Sequence, residues 1–263
     1  MDIEVEGKLA HAATGGRQGN ANEPAVVFIH GAGMDHTAWQ LQARNVAHNG
    51  RRVFAVDLPG HGRSQGSALK SIAKMADWVA QFMNASGIGP ATIIGHSMGA
   101  LVALEIGARH SSQVNNLLLI GVAETMPVHP DLLAAAEANQ PLGPELIVFW
   151  GLSSEAQIGG HLQPGLWVHG ASEILLKSSK SGVLGNDLAA SNKYQDGLDA
   201  AKTISCPAKL ILGADDKMTP VKKGVALSDV MVEVSIDIIP NCGHMIMLER
   251  PEEVYKSMKD FVF

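Results

Sequence analysis

Between Ala91 and Ile106 the chain passes from a β-branched apolar run to an amphipathic helical one, and the transition is made by Gly95-His96-Ser97-Met98-Gly99. Ala91-Thr92-Ile93-Ile94 reads as a buried strand, and Leu101, Val102, Leu104, Glu105 and Ile106 carry a helical period. A strand joined to a helix in so few residues needs a sharp turn in which backbones approach closely, so positions 95 and 99 can hold little beyond glycine. Such a turn leaves Ser97 bare at the strand's end. A serine alcohol is a weak nucleophile unless it is presented to a base, so this placement is the first requirement of nucleophilic catalysis. The pentapeptide alone is a common pattern, and its strand-to-helix context is what gives it meaning.

The same alternation runs through most of the chain. Ala25–Ile29, Arg52–Val56, Val114–Gly121 and Lys209–Leu212 are short apolar runs separated by helical patterns, which predicts a mainly parallel sheet with helices on both faces. Residues 2 to 14 and 24 to 30 read as the opening strands, with the polar loop Gly15 to Glu23 between them. Ile72, Met75, Ala76, Val79, Phe82 and Met83 recur at helical spacing, so a helix is predicted over residues 69 to 86. Trp78 and Met75 in that stripe read as a core face rather than a ligand box. The last helix is expected to start at Pro251, with Glu252 and Glu253 at its positive end.

Two later loops complete the requirements of a serine nucleophile. The strand at Lys209 runs into Gly213-Ala214-Asp215-Asp216-Lys217-Met218-Thr219-Pro220, which delivers carboxylates into a loop. Val232 to Ile239 alternates into a strand that stops at Pro240 and is followed by Asn241-Cys242-Gly243-His244. A histidine held by a carboxylate keeps the tautomer that accepts the serine proton and later returns it to the leaving group. Adjacent acids point differently, so only one of Asp215 and Asp216 can hold the imidazole, with Glu124 a remote substitute. Of the chain's eleven histidines, His30, His96 and His61 lie beside turn glycines and read as structural. His129, His161 and His169 have no metal-ligand spacing.

These motifs resemble the α/β-hydrolase superfamily over nearly the whole chain, and most closely its small lidded members. His30-Gly31-Ala32-Gly33 after the strand at 25–29 is similar to the family's oxyanion-hole turn, and Asp57-Leu58-Pro59-Gly60-His61-Gly62-Arg63-Ser64 to its D-x-P-G-x-G-x-S loop. Gly243-His244 followed by Glu249-Arg250-Pro251-Glu252-Glu253-Val254 resembles its histidine loop and last helix. The order Ser97, Asp216, His244 is the family's order. Its G-x-x-D-x-x-x-P pattern, met here by Gly213 and Pro220, favours Asp216 over Asp215. The resemblance also implies two oxyanion N–H donors, Met98 after the nucleophile and Ala32 after His30-Gly31. Met98, Met218 and Met245 flank these positions and suggest an adaptable apolar site.

From 122 to 201 the clean alternation stops. Helical segments around Asp131 to Asn139 and Pro144 to Leu152 are interrupted by Pro127, Pro130, Pro141, Gly159, Gly160, Pro164 and Gly165. In the family this is where a helical lid is inserted, which divides the chain into an α/β core of residues 1–121 and 202–263 and a lid of residues 122–201. Met126, Phe149, Trp150, Leu152 and Trp167 offer apolar surface for the pocket or for burial against the core.

Composition narrows the setting. A chain of 263 residues that is 46% hydrophobic can bury a large single core. Its net charge of −6 disfavours nucleic-acid binding. Met1 to Glu6 has no cationic region followed by an apolar one, and no apolar run reaches membrane-spanning length, so a cytoplasmic protein with no membrane partner is expected. Cys206 and Cys242 lack C-x-x-C spacing, no H-E-x-x-H occurs, and Gly60-x-Gly62 lacks a dinucleotide fingerprint, so no cofactor or metal is expected. Cys242 reads as a small packing residue.

A serine triad with two N–H donors transfers an acyl group to water through an acyl-enzyme, which points to a carboxylic-ester hydrolase of small, mainly neutral hydrophobic substrates. The alternatives on the same triad are lactonase, amidase or cofactor-free haloperoxidase activity and a carbon–carbon bond hydrolase of ring-cleavage products. Those last substrates are anionic, and no arginine occurs between Arg109 and Arg250, although Lys177, Lys180 and Lys193 remain. A ligand receptor that keeps the triad but turns over slowly is the alternative of another class.

Overall fold

The computed structural model describes residues 1–161 and 165–263. Among these residues eight strands form one sheet: β1 (Asp2–Val5), β2 (Lys8–Ala13), β3 (Ala25–Ile29), β4 (Arg52–Val56), β5 (Ala91–His96), β6 (Val114–Ile120), β7 (Ala208–Gly213) and β8 (Val234–Ile239), in the order β1-β2-β4-β3-β5-β6-β7-β8. The opening stretch is therefore a hairpin rather than one strand, because Glu6 and Gly7 both take positive φ and turn the chain back. β2 is antiparallel to β1 and β4, and all other pairings are parallel.

The helices are α1 (Gln40–His48), α2 (Ile72–Ala85), α3 (Met98–Arg109), α4 (Pro130–Glu137), α5 (Leu142–Gly151), α6 (Ser154–Gln157), α7 (Val168–Lys177), α8 (Val183–Lys193), α9 (Gly197–Lys202), α10 (Val221–Ser228), α11 (Ile246–Glu249) and α12 (Pro251–Val262). Along the central strands successive side chains enter opposite cores. Val27, Ile29, Ile93, Leu117 and Leu119 pack with α2 and α3, while Val26, Phe28, Ile94, Leu118 and Ile120 pack with α1 and α12. Both faces are covered, which is why these strands are apolar without interruption.

Ser71 caps α2 through its hydroxyl, and the stripe from Ile72 to Met83 lies in the first core, with Trp78 stacked on Phe82 at 5.9 Å. Burying a side chain of the size of Phe82 contributes about 1.5–3 kcal/mol.

α4 to α9 occupy the stretch between β6 and β7. α9 packs on α3, whereas α8 bridges α3 and α4, and α5 packs on α4 and α7. Pro164, one of the breakers of this stretch, lies outside the described residues. Among the described residues no helix is long and apolar enough to cross a membrane.

Candidate active site

In register, Ile29 of β3 lies beside Gly95 of β5, and His96 beside Ile120 of β6. The carboxyl ends of the central strands therefore open onto one crevice, the usual place for a ligand in an open α/β sheet. The turn from β5 to α3 holds Ser97 at φ 55° and ψ −120°, a strained conformation for a non-glycine residue. Its flanking glycines are required by contact. A Cβ on Gly95 would lie 2.0 Å from the Gly99 carbonyl oxygen, and one on Gly99 would lie 2.3 Å from that of Ile29. The Ser97 N–H donates to the Ile120 carbonyl at 2.9 Å, which fastens the turn to the neighbouring strand.

Two loops bring their side chains to Ser97. His244 Nε2 is 2.8 Å from Ser97 Oγ, and His244 Nδ1 is 2.8 Å from Asp216 Oδ2. The Asp216 carboxylate is a tight local turn: Oδ1 accepts from Met218 N and Thr219 N at 2.8 Å each, and Oδ2 accepts from Thr219 Oγ1 at 2.6 Å. Burial alone would raise its pKa, but the charge and hydrogen bond of His244, with Thr219, outweigh it and hold the carboxyl at about 2. Asp215 is exposed and its N–H donates to the Cys242 carbonyl, while the imidazole is paired with Asp216. Glu124 is not among the hydrogen-bond partners of His244.

The His244 backbone is fixed from two sides. Its N–H donates to the Gly151 carbonyl at 2.5 Å, and its carbonyl accepts from His96 Nε2 at 2.8 Å. His96 thus holds the loop rather than the chemistry, and burial, then the nearby His244, lowers its pKa to about 3. Glu249, with 1% exposure, accepts the N–H of Gly243 at Oε1 and of Ser153 at Oε2, tying this loop to the end of α5.

The turn after β3 is built by the same kind of bond. His30 Nδ1 faces the Gly31 carbonyl at 2.9 Å, and its Nε2 accepts from Leu58 N at 3.2 Å, so the ring is neutral with its proton on Nδ1. Burial, reinforced by nearby His61, lowers its pKa to about 4. Among the described residues, neither the Ala32 N–H nor the Met98 N–H donates to a protein acceptor.

A cavity of about 240 Å³ opens over these groups. Ser97, His244 and Ala32 form its floor, and Met126, Leu132, Trp150, Leu188 and Met218 supply apolar wall. Of the three flanking methionines only Met218 reaches it, since Met98 and Met245 are wholly buried in the two cores. Phe149 and Trp167 are 61% and 62% exposed and turn to solvent, while Leu152 is buried in the core. Polar groups also line the cavity: Lys217 from the loop after β7, with His129 and Ser191 from the 122–201 stretch, whereas Lys177 pairs with Glu173 and Lys180 donates to the Ser64 carbonyl.

Outside the crevice, His11, His36 and Asp57 bring potential metal-ligand atoms within 4.8 Å of one another. The Asp57 carboxylate already accepts from His36 N, His36 Nδ1 and Arg63 N, and His11 Nδ1 is taken by Asp2. These bonds brace the loop after β4. Cys242 is fully buried, and burial pushes its thiol pKa up, as suits a packing residue.

Residues 26–257 match the family model described as the alpha/beta hydrolase family, and the chain belongs to that family. It is 30% identical over 253 residues to a pimeloyl-[acyl-carrier protein] methyl ester esterase of Chromobacterium violaceum, covering 90% of this chain and 93% of that protein. It is 27% identical over 272 residues to a 2-hydroxy-6-oxononadienedioate/2-hydroxy-6-oxononatrienedioate hydrolase of Burkholderia vietnamiensis, covering 93% and 88%. Its fold superposes on the crystal structure of the enol-lactonase from Burkholderia xenovorans with a TM-score of 0.88 at 20% identity, covering 100% and 99% of the two chains. Such relatives make the protein a hydrolase of the alpha/beta family.

Proposed function

We propose that the protein is a carboxylic-ester hydrolase in which Ser97, His244 and Asp216 act as a catalytic triad on small, mainly neutral hydrophobic esters. The observation that carries this reading is the unbroken chain of 2.8 Å contacts from Ser97 Oγ through His244 to Asp216 on the floor of the cavity. In the first step Ser97 Oγ attacks the ester carbonyl while His244 Nε2 takes its proton, and Asp216 holds the Nδ1–H and favours the imidazolium that forms. The carbonyl oxygen becomes an oxyanion between the N–H groups of Ala32 and Met98, whose lack of protein acceptors leaves them available. His244 then protonates the leaving alcohol and activates water against the acyl-enzyme.

In this reading residues 122–201 serve as the lid. They supply most of the apolar wall and keep water off the acyl-enzyme. A volume of about 240 Å³ lies below the range of about 300–1,000 Å³ common for drug-sized ligands, which suits a short acyl or alcohol group.

One observation favours a second reading. Lys217 stands at the cavity and, among the described residues, forms no ion pair with a carboxylate, so it offers a cation to a substrate bearing an anionic group, as a carbon–carbon bond hydrolase would require. The test is a hydrolysis panel of aryl, alkyl and lactone esters and a vinylogous diketo acid, run on wild type and Ser97→Ala. Ester turnover that falls by about 10³-fold or more in Ser97→Ala supports the first reading. More than a tenth of wild-type activity in the variant overturns it. Turnover of the diketo acid but not of esters selects the second.

A further inference from the structure

Helix α8 reaches the turn after β3 through one wholly buried carboxylate. Asp187 Oδ2 accepts from Gly33 N at 2.9 Å and faces His61 Nε2 at 2.7 Å. His61 Nδ1 faces the Pro59 carbonyl at 3.1 Å, so both ring nitrogens meet acceptors and the ring carries both protons. Burial opposes that cation, but Asp187 outweighs it and raises the His61 pKa. A buried ion pair is weak evidence for stability, because an apolar pair of similar volume often serves as well. What the apolar pair could not do is accept the Gly33 N–H.

That N–H belongs to the turn that carries Ala32. The Gly31 carbonyl is held by His30 Nδ1 and by Met34 N at 3.2 Å. In a trans peptide the C=O and the following N–H point in opposite directions, so holding the Gly31 carbonyl directs the Ala32 N–H the other way. Among the described residues, the next peptide, between Ala32 and Gly33, is held only by Asp187. Ala32 thus lies between two fixed peptide planes, one of them fixed from α8. The same helix presses Leu184 against Gly33, where an added Cβ would lie 2.7 Å from Leu184 Cδ1, and it gives Leu188 and Ser191 to the cavity wall.

We propose that Asp187 is a positioning residue for the oxyanion turn: through Gly33 N–H, and anchored by His61, it fixes the Ala32–Gly33 peptide, the plane that adjoins the one carrying the Ala32 N–H, and so keeps the turn from twisting at Ala32. The proposal rests on Ala32 and Met98 being the oxyanion donors. Asp187 itself touches no substrate. It makes the seating of α8 a condition of transition-state stabilisation as well as of pocket shape.

The test uses the whole protein as wild type, Asp187→Ala, Asp187→Asn, the double variant Asp187→Leu/His61→Leu, and Ser97→Ala. Each is examined by urea unfolding, by kcat and KM on a short p-nitrophenyl ester, and by inhibition with an aryl trifluoromethyl ketone. Ser97 adds to that ketone's carbonyl, its proton passes to His244, and the resulting hemiketal oxygen occupies the oxyanion position. Asp187→Ala and the Leu/Leu pair both leave Gly33 N–H without an acceptor, so whichever of them unfolds cooperatively carries the reading. Expected is a fall in kcat of about 10–100-fold, less than the about 10²–10³ of a deleted donor, with KM within threefold and ketone affinity weakened in parallel. Asp187→Asn keeps an amide oxygen for Gly33 and should retain kcat within threefold while its urea midpoint drops. Unchanged kcat in the folded acceptor-less variants, a change in KM alone, or an equal loss in Asp187→Asn would overturn the proposal. Failure of the ester reading shows separately, as a wild type without ester turnover or a Ser97→Ala variant that keeps it.

Discussion

Glu249 is the side chain whose removal the geometry makes most costly for the histidine loop. Its two oxygens satisfy two buried N–H groups, Gly243 at 3.1 Å and Ser153 at 3.0 Å, in surroundings that leave it 1% exposed. Glu249→Ala orphans both donors, at about 1–3 kcal/mol each. Relief of the buried charge's own desolvation returns part of that cost, so a net destabilisation of about 3–4 kcal/mol is expected. With a urea slope near 3 kcal/mol/M, as suits a chain of this size, the midpoint should fall by about 1 M. Glu249→Gln keeps one acceptor and turns an NH₂ toward the other N–H, so it should lose about half as much. His244 follows Gly243 directly, and kcat should fall in the same order, Ala below Gln below wild type. A loss under 1 kcal/mol in Glu249→Ala, or Gln as damaging as Ala, would refute the bracing role.

Three further outcomes follow from the same geometry. Asp216→Asn should reduce kcat by about 10⁴-fold, because an amide offers a donor where the tautomer needs an acceptor, while Asp215→Asn should stay within about threefold; steady-state kinetics that rank them the other way would sink the assignment. Acid should destabilise the fold early. His30 and His96 are held neutral at about 4 and about 3, below the about 6.5 of an unfolded histidine, so the unfolded chain binds protons first and stability is lost as pH falls from 6.5 toward those values. By pH 5 each costs about 2 kcal/mol, and His61, raised by its partner, offsets part of that sum, so the urea midpoint should fall between pH 7.5 and 5. An unchanged midpoint would contradict the neutral assignments. Finally, adding a terminal carboxylate to a matched methyl ester should lower kcat/KM, since desolvation against apolar walls costs several kcal/mol and an exposed lysine such as Lys217 returns about 1 kcal/mol at most. Lys217→Gln should lower it a further two- to fivefold for the charged ester alone; a wild-type preference for the charged ester would favour the carbon–carbon reading instead.

What could be read in the sequence is what local geometry encodes. The sheet was legible because each covered strand is apolar on both sides, and Ser97 and Asp216 were legible because glycines 95 and 99 and the Met218 and Thr219 amides build their turns locally, whereas His244 was legible only by its loop motif, its backbone being held by distant Gly151 and His96. Asp216 builds its turn from Met218 and Thr219, so residues within three positions distinguish it from Asp215. The methionines beside the site misled for a related reason. Adjacency in the chain is not adjacency in space, and Met98 and Met245 point into the cores. Asp187 had no local signal. Its partners lie 154 residues away at Gly33 and 126 away at His61, and an aspartate inside a helical run is indistinguishable from a solvated one until the helix is placed. Lys217 carried no such signal, because the loop that delivers Asp216 reaches the cavity only once β7 is placed in the sheet.

The two braces enter the site from opposite sides and from the same part of the chain. The end of α5 supplies the Gly151 carbonyl and the Ser153 N–H to the histidine loop, and α8 supplies Asp187 to the turn bearing Ala32. The segment between β6 and β7, the least regular in sequence, therefore touches both the histidine loop and the turn after β3. If it moved away as a rigid lid, Glu249 would lose the Ser153 N–H and Gly33 would lose its acceptor in the same motion. Buried polar groups resist that separation, since each unpaired N–H costs about 1–3 kcal/mol. Access to the cavity is therefore cheaper through the rim formed by Pro127, Val128, His129 and Lys217, which carries neither brace, than by lifting α5 or α8. Substrate range should accordingly respond to substitutions at that rim, while substitutions at the feet of α5 and α8 change kcat.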